Sequence, residues 1–276
     1  MGTSGAVKEG DLRKIAEGRE AEIFEWEDGK VLRLMRDPKA VEPVEMFAAA
    51  TQAAHDAGVS VPVPYEVVTV DGRPGLVMEA VDGPDLLTLI ARQPWLLWSV
   101  GNVIGRLQAE LHDVVAPETV PNLKKTYHWR IDSDKVPPEI VNYAHQLLDD
   151  LPDGDRLCHG DFHPANVLKG DREYYIIDWT GVAKGDPMAD YARTQLTLQL
   201  GEPDAAAPLL VRKLAGLGRG VLLSAFRRGY RGHRAPDEDL VRRWEVPVMA
   251  YRLVDGIKEE RPKLLKLLEE RLRGRN

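Results

Sequence analysis

The chain has 276 residues, 43% of them hydrophobic, and 37 Lys+Arg against 44 Asp+Glu give a formal charge of -7. That length allows one large domain or two ordinary lobes, either with a real core. The acidic balance argues against nucleic acid as a partner, and the single cysteine, Cys158, excludes a disulfide framework or a Cys-based zinc site. No apolar run approaches the roughly 18 residues of a membrane helix, since the greasiest stretch, Trp95 to Ile104, is broken by Ser99, Gly101 and Asn102. The N-terminus shows no signal-peptide apolar region, and Ala6 fails the myristoylation pattern. The expectation is a cytoplasmic protein without a membrane partner.

Ala21–Trp26 and Val31–Met35 flank Asp28-Gly29, a strong hairpin signal. A loop with a single glycine, Gly18, precedes them. Pro43–Ala57 has helical spacing in Phe47, Ala50 and Ala54 and stops at Gly58. Val61-Pro62-Val63-Pro64 cannot be helical, and Tyr65–Val70 with Leu76–Ala80 forms a second hairpin around Asp71-Gly72. After Gly83-Pro84 the periodicity becomes helical, with Val103, Ile104, Leu107 and Leu111, then Ala144, Leu147, Leu148 and Leu151. Segments 209–226, 239–254 and 262–272 read as helices too, and strand signals here are confined to about 156–178. The expected fold is α+β, with a small β-rich N-terminal lobe over residues 1–82, a hinge near Glu79–Gly83 and a larger helical lobe over 83–276. A ligand would sit in the cleft between them. Trp95, Trp98, Tyr127, Trp129 and Tyr143 are expected in the core, and His112 is read as a helix C-cap.

The chemistry concentrates in His159-Gly160-Asp161-Phe162-His163-Pro164-Ala165-Asn166 and in Ile177-Asp178-Trp179. Val167–Lys169 and Glu173–Ile177 flank Gly170-Asp171-Arg172 as a hairpin would. Such a hairpin returns Asp178 to Asn166, with Asp161 just before. Mg²⁺ takes one or two hard protein oxygens plus nucleotide phosphates, which Asn166 and Asp178 can supply. Asp161 can accept a hydrogen bond from an attacking hydroxyl. With an ordinary pKa of ~3.9 it is a weak base, suited to orienting the hydroxyl and taking its proton late, and the Asp-x-x-x-x-Asn spacing is that of kinase catalytic loops. A His159–Asp161–His163 metal site for a hydrolase is an alternative that leaves Asn166 and Asp178 unexplained.

These segments, with Gly185-Asp186-Pro187-x-x-Asp190, resemble the signatures of the aminoglycoside phosphotransferase and choline kinase branch of the protein-kinase-like fold. The resemblance runs from about Gly18 to Asp190 and includes Gly58–Pro64, Met78–Gly83 and Leu107–His112. It implies a bilobal kinase that moves the γ-phosphate of ATP, with Mg²⁺, to a hydroxyl of a small molecule, an aminoglycoside-like, amino-alcohol or sugar-like acceptor. By it Asp161 is the catalytic base, Asn166 and Asp178 are metal ligands, His159 braces the catalytic loop, and Asp190 holds that loop by hydrogen bonds. Glu79–Val81 offer backbone groups to adenine.

Arg33 stands where such kinases usually carry Lys and would bind phosphates with a planar fork instead of a point charge. Its helix partner is expected to be Glu45 or Glu42, with Glu45 preferred for its place in the first turn after Pro43. The Gly18 nucleotide loop lacks a Gly-x-Gly-x-x-Gly run. These departures keep open a non-catalytic nucleotide-binding module, beside a kinase acting on a protein. Two regions point to opposite acceptor charges: residues 113–155 are acidic, whereas residues 212–276 carry 17 Lys+Arg against 9 Asp+Glu. The expected acceptor is not a true aminoglycoside.

Overall fold

The computed structural model describes residues 8–18, 20–27, 29–171, 173–201 and 209–274, with side chains of 209–217 excepted. Asp28 and Arg172, named in the expected turns, lie outside the described residues, as does Ala6.

A five-stranded antiparallel sheet forms first, from β1 (Lys14–Glu17), β2 (Ala21–Glu25), β3 (Lys30–Met35), β4 (Pro64–Val70) and β5 (Arg73–Glu79), in the order β1-β2-β3-β5-β4. Alternation along β3 divides its side chains between two faces. Leu32 and Leu34 join Phe24, Val70 and Val77 in a small outer core. Val31 and Met35 join the main core instead, and Arg33 shares their face by the period of two. Helix α1 (Val41–Asp56) buries Val44, Phe47, Ala50 and Ala54. It starts two residues before the expected Pro43, which the first turn accommodates because no N–H is needed there. Pro64 is tolerated because β4 is an edge strand.

The connection from β5 is pinned: Ala80 N–H donates to the Gly29 carbonyl at 2.8 Å and Lys169 N–H to the Pro84 carbonyl at 2.9 Å. Gly83 has φ +145, and a Cβ there would overlap the Lys169 carbonyl, so this crossing of two backbones requires glycine. Asp85 then caps α2 (Leu86–Arg92) by accepting from Thr88 N–H at 2.8 Å. The rest is α3 (Leu97–Leu111), α4 (Leu123–Ile131), α5 (Pro138–Asp149), α6 (Pro187–Leu200), α7 (Leu209–His233), α8 (Glu238–Val254) and α9 (Arg261–Arg273). Two short antiparallel pairs are set among them: β6 (Arg156–Cys158) with β9 (Ala183–Gly185), and β7 (Val167–Lys169) with β8 (Tyr174–Ile176). The main core runs from the α1 side of the sheet through the helices. Among the described residues no helix is long and apolar enough to cross a membrane.

Several expectations are corrected. Strand β9 lies outside 156–178, β1, α2, α4 and α6 were not foreseen, and α7 runs seven residues beyond Phe226. Trp95 is 74% exposed and Trp98 48%. Trp95 sits in the 3-10 turn before α3, and Trp98 lies two residues from buried Val100, on the opposite side of the helix. Trp129, 76% exposed, is set off in the same way between buried Tyr127 and Ile131. Tyr127 is in the core and Tyr143 packs half-buried against it.

Candidate functional site

Strand β6 delivers the chain into residues 159–166. Gly160 has φ +78 and lies against Gly181, whose carbonyl a Cβ would overlap, so only glycine makes this turn. Its partner is Asp190, fully buried one turn into α6. The Asp190 carboxylate accepts from the backbone N–H groups of His159 (3.1 Å) and Gly160 (2.8 Å) and from Gln108 Nε2 (3.0 Å), and His112 Nε2 is 3.1 Å away. Burial alone would raise its pKa, but these hydrogen bonds, His112 foremost, outweigh it and hold the carboxyl at about 2. His112 does occupy the C-cap of α3, yet its ring serves Asp190 and the Tyr230 hydroxyl (2.8 Å), not helix carbonyls.

His159 is buried between Phe162 and Trp179, with ring centroids at 5.5 and 4.9 Å. Its Nε2 lies 2.9 Å from the Ile177 carbonyl, which can only accept, and its Nδ1 faces the Asp161 N–H at 3.3 Å, which can only donate. The partners therefore assign the neutral ring with its proton on Nε2, and burial lowers its pKa in the same sense. One imidazole thus ties the backbone before Asp178 to that of Asp161.

Strands β7 and β8 pair Val167 with Ile176, and Ile177 N–H donates to the Asn166 carbonyl at 3.0 Å. This brings Asp178 back to Asn166. Asn166 Nδ2 donates to the Asp161 carbonyl at 2.9 Å, and its amide oxygen has no partner among the described residues. Asp178 adopts the left-handed conformation, φ +63, and its side chain remains 44% exposed. Arg33 Nη2 lies 3.1 Å from Asp178 Oδ1, leaving the second carboxylate oxygen open. Two hard oxygens, one amide and one carboxylate, suit a cation that takes most of its ligands from phosphate and water. Asp161 is 37% exposed by side chain, with His163 Nε2 at 3.5 Å and Arg193 Nη2 at 4.0 Å. Burial raises its pKa, but His163, Arg193 and His159 prevail and hold it well below the carboxylate range. His163 Nδ1 accepts from Ala165 N–H at 3.2 Å and His159 turns to Ile177, so the His-Asp-His trio does not converge. Among the described residues no group of three or more His, Cys, Asp or Glu is placed to hold a metal.

Arg33 departs from its expected pairing. Glu45 is exposed on α1 and makes no ion pair with it. Helix α1 offers Phe47 instead, with the guanidinium 4.7 Å over the ring; Val44 and Phe47 occupy the buried face, which leaves Glu45 on the flank. Gly18 closes the β1–β2 turn, donating to the Ala21 carbonyl at 2.8 Å. The Glu79 carboxylate accepts from Val63 N–H at 3.1 Å. Among the described residues no partner meets the Val81 backbone.

Three residues escaped sequence reasoning. Arg193, buried, donates from Nε to the Gly160 carbonyl and from Nη2 to Asp255 at 3.1 Å. Its guanidinium lies 4.6 Å over the ring of Tyr251. Arg193 follows Asp190 by one helical turn, a spacing that could have flagged it. Asp255 and Tyr251 are about 60 residues further on and carry no local signal.

The model of the phosphotransferase enzyme family matches residues 11–235. The chain is similar to solved structures of the protein-kinase-like fold. One is amicoumacin kinase hAmiN in complex with AMP-PNP, Ca²⁺ and Ami, at 14% identity and TM-score 0.66, covering 95% of this chain and 88% of that one. Another is a thermostable mutant of aminoglycoside phosphotransferase APH(4)-Ia in ternary complex with AMP-PNP and hygromycin B, at 17% identity and TM-score 0.63, covering 95% and 93%. A third is aminoglycoside phosphotransferase APH(3'')-Id from Streptomyces rimosus, at 15% identity and TM-score 0.58, covering 87% and 92%. No curated protein sequence is significantly similar. With the bilobal α+β architecture in place and more than half of its length matched, the chain belongs to the phosphotransferase enzyme family.

Proposed function

We propose that the protein is an ATP-dependent kinase of a small hydroxylated molecule, working in the cytoplasm. The observation that carries this reading is the convergence of Asp161, Asn166 and Asp178 at one end of the β7–β8 hairpin. Nucleotide would lie between an N-terminal lobe (1–82) and a C-terminal lobe (83–276), with adenine on backbone groups of Glu79 and Val81, and the phosphates near Gly18 and Arg33. Asn166 and Asp178 would hold Mg²⁺, which neutralises phosphate charge during transfer. AMP-PNP in the amicoumacin kinase and APH(4)-Ia complexes supports ATP as the donor.

Asp161 acts on the acceptor. Its carboxylate orients the hydroxyl, whose oxygen attacks the γ-phosphorus. The bond from that phosphorus to the bridging oxygen breaks, ADP leaves with the electron pair, and the hydroxyl proton passes to Asp161. The depressed pKa of Asp161 makes it a poor base for a free alcohol, so the proton moves late, when the oxygen has already bonded to phosphorus. His159 and Asp190 fix the loop, and Arg33 holds Asp178 until phosphates arrive.

The test is Mg·ATP turnover across hydroxylated acceptors, with Asp161→Ala as control. Neither acceptor phosphorylation nor acceptor-stimulated ADP release anywhere in the set would sink the proposal. Tight nucleotide binding without turnover would favour the non-catalytic module.

A further inference from the structure

The acceptor's charge was ambiguous in the sequence, and the wall beside Asp161 narrows it. Asp255 stands there with its carboxylate already taken: Arg193 Nη2 at 3.1 Å, Arg130 Nη2 at 2.9 Å and Arg252 Nη1 at 3.4 Å. Arg252 also grips Glu260 through two bonds of 2.8 and 3.0 Å. Three guanidiniums thus meet two carboxylates. Five carboxylates of the acidic stretch 113–155 are engaged elsewhere: Asp113 with His233 and Arg234, Glu118 with Lys184, Asp132 with His145, Asp149 with His128 and Asp155 with Arg156. What that stretch sends to this wall is a cation, Arg130.

Two N–H groups here lack a partner although buried, Arg193 Nη1 and Arg130 Nε. Both guanidiniums lie over the ring of Tyr251, at 4.6 and 4.8 Å, which fixes their planes. The Arg130 side chain is 38% exposed, so its outer edge is within reach of a ligand. A planar N–H fork held by an aromatic ring is a receptor for a carboxylate or similar oxyanion. The two carboxylates on this wall, Asp255 and Glu260, are already paired with guanidiniums.

Building on the kinase reading above, we propose that the acceptor is a small hydroxy acid: a hydroxyl for Asp161 and, a few bonds away, an anionic oxygen group held by Arg130, with Arg193 orienting Asp161. Phosphorylation then gives ADP, the phosphomonoester of that acid and one proton, taken first by Asp161.

The experiment pairs small hydroxy acids with their own amides, and adds amino alcohols and amino sugars, using the full chain with Mg·ATP and following ADP release. Mg·AMP-PNP binding is measured separately by calorimetry. We expect hydroxy acids to exceed their amides in kcat/KM by about 10- to 100-fold, the span set by one charge-assisted hydrogen bond. Arg130→Gln should raise KM for the acid far more than it lowers kcat, with ATP KM unmoved, and Arg130→Lys should restore part of the loss. Equal or better turnover of amides or cationic amino sugars, or an unchanged KM in Arg130→Gln, overturns the inference and leaves the kinase reading standing. Nucleotide binding without turnover of any hydroxy acid also overturns it. No nucleotide binding and no turnover at all defeats the kinase reading itself.

Discussion

Arg33 and Asp178 are joined across 145 residues by a 3.1 Å ion pair, one from the middle of the sheet and the other from the end of the β7–β8 hairpin. With Phe47 beneath the guanidinium, this cation is set by an aromatic ring and by a candidate metal ligand, and no carboxylate of α1 takes part. Removing it should therefore be felt at Asp178 and on the phosphates together. We expect Arg33→Met to lower kcat/KM for ATP about 10- to 100-fold, as for loss of a charge-assisted hydrogen bond, and Arg33→Lys to recover only part, because a point charge replaces the fork. Glu45→Ala should leave kcat/KM unchanged. Steady-state kinetics against ATP decides; equal losses in Glu45→Ala and Arg33→Met would restore Glu45 as the partner.

Asp161→Asn keeps the shape of the side chain and removes the proton acceptor. The expected loss in kcat is about 10²- to 10⁴-fold. Nucleotide affinity, read by calorimetry with Mg·AMP-PNP, should stay within twofold. A parallel loss of nucleotide binding would place Asp161 on the phosphates.

The depressed pKa of Asp190 links its burial to acid stability. Its folded value of about 2 lies below the ordinary 3.8, so its charged form stabilises the fold fully above pH ~4. That contribution fades as pH falls toward 2. A shift of this size corresponds to about 2 kcal/mol. Asp190→Asn presents an amide NH₂ where four donors converge, and should destabilise the chain by roughly 3 kcal/mol at pH 7. The difference between wild type and variant should shrink between pH 4 and pH 2. Urea melts across that range measure it, and a constant difference would contradict the assignment.

Gly160→Ala adds a methyl group against the Gly181 carbonyl at φ +78. The left-handed backbone alone costs roughly 1–2 kcal/mol for a residue with a Cβ, and the overlap adds to it. We expect a lower Tm and activity reduced at least tenfold. Wild-type values for both would show that the loop relaxes freely.

Cys158 is fully buried and burial pushes its thiol pKa up, so its thiolate is scarce. A disulfide reagent should react only after denaturant is added. Rapid reaction in the native state would reveal an opening of β6.

The candidate segment 159–178 was legible because its groups lie close in sequence: the hairpin between Asn166 and Asp178 closes in a few residues, and local pairing is what pattern reading captures. The two large hairpins and most helices were legible from periodicity for the same reason. Strand β1 was not, because all four of its residues are exposed and leave no apolar alternation. Trp95, Trp98 and Trp129 misled because their size implies burial, whereas helical phase puts Trp98 and Trp129 outside and Trp95 sits in the 3-10 turn before α3. Glu45 misled by proximity to Pro43 alone. Asp255 and Tyr251 reach the site only through the docking of α8, which no spacing near Asp161 records.

That docking bears on the order of events during synthesis. The loop at 159–166 leaves the ribosome well before Tyr230, whose hydroxyl holds His112, and longer still before Asp255, which holds Arg193. At roughly 5–20 residues per second, Arg193 waits about 3–12 s for Asp255. Until then Arg193 lacks its carboxylate partner, so the half-made chain carries the 159–166 loop without the whole platform that holds it.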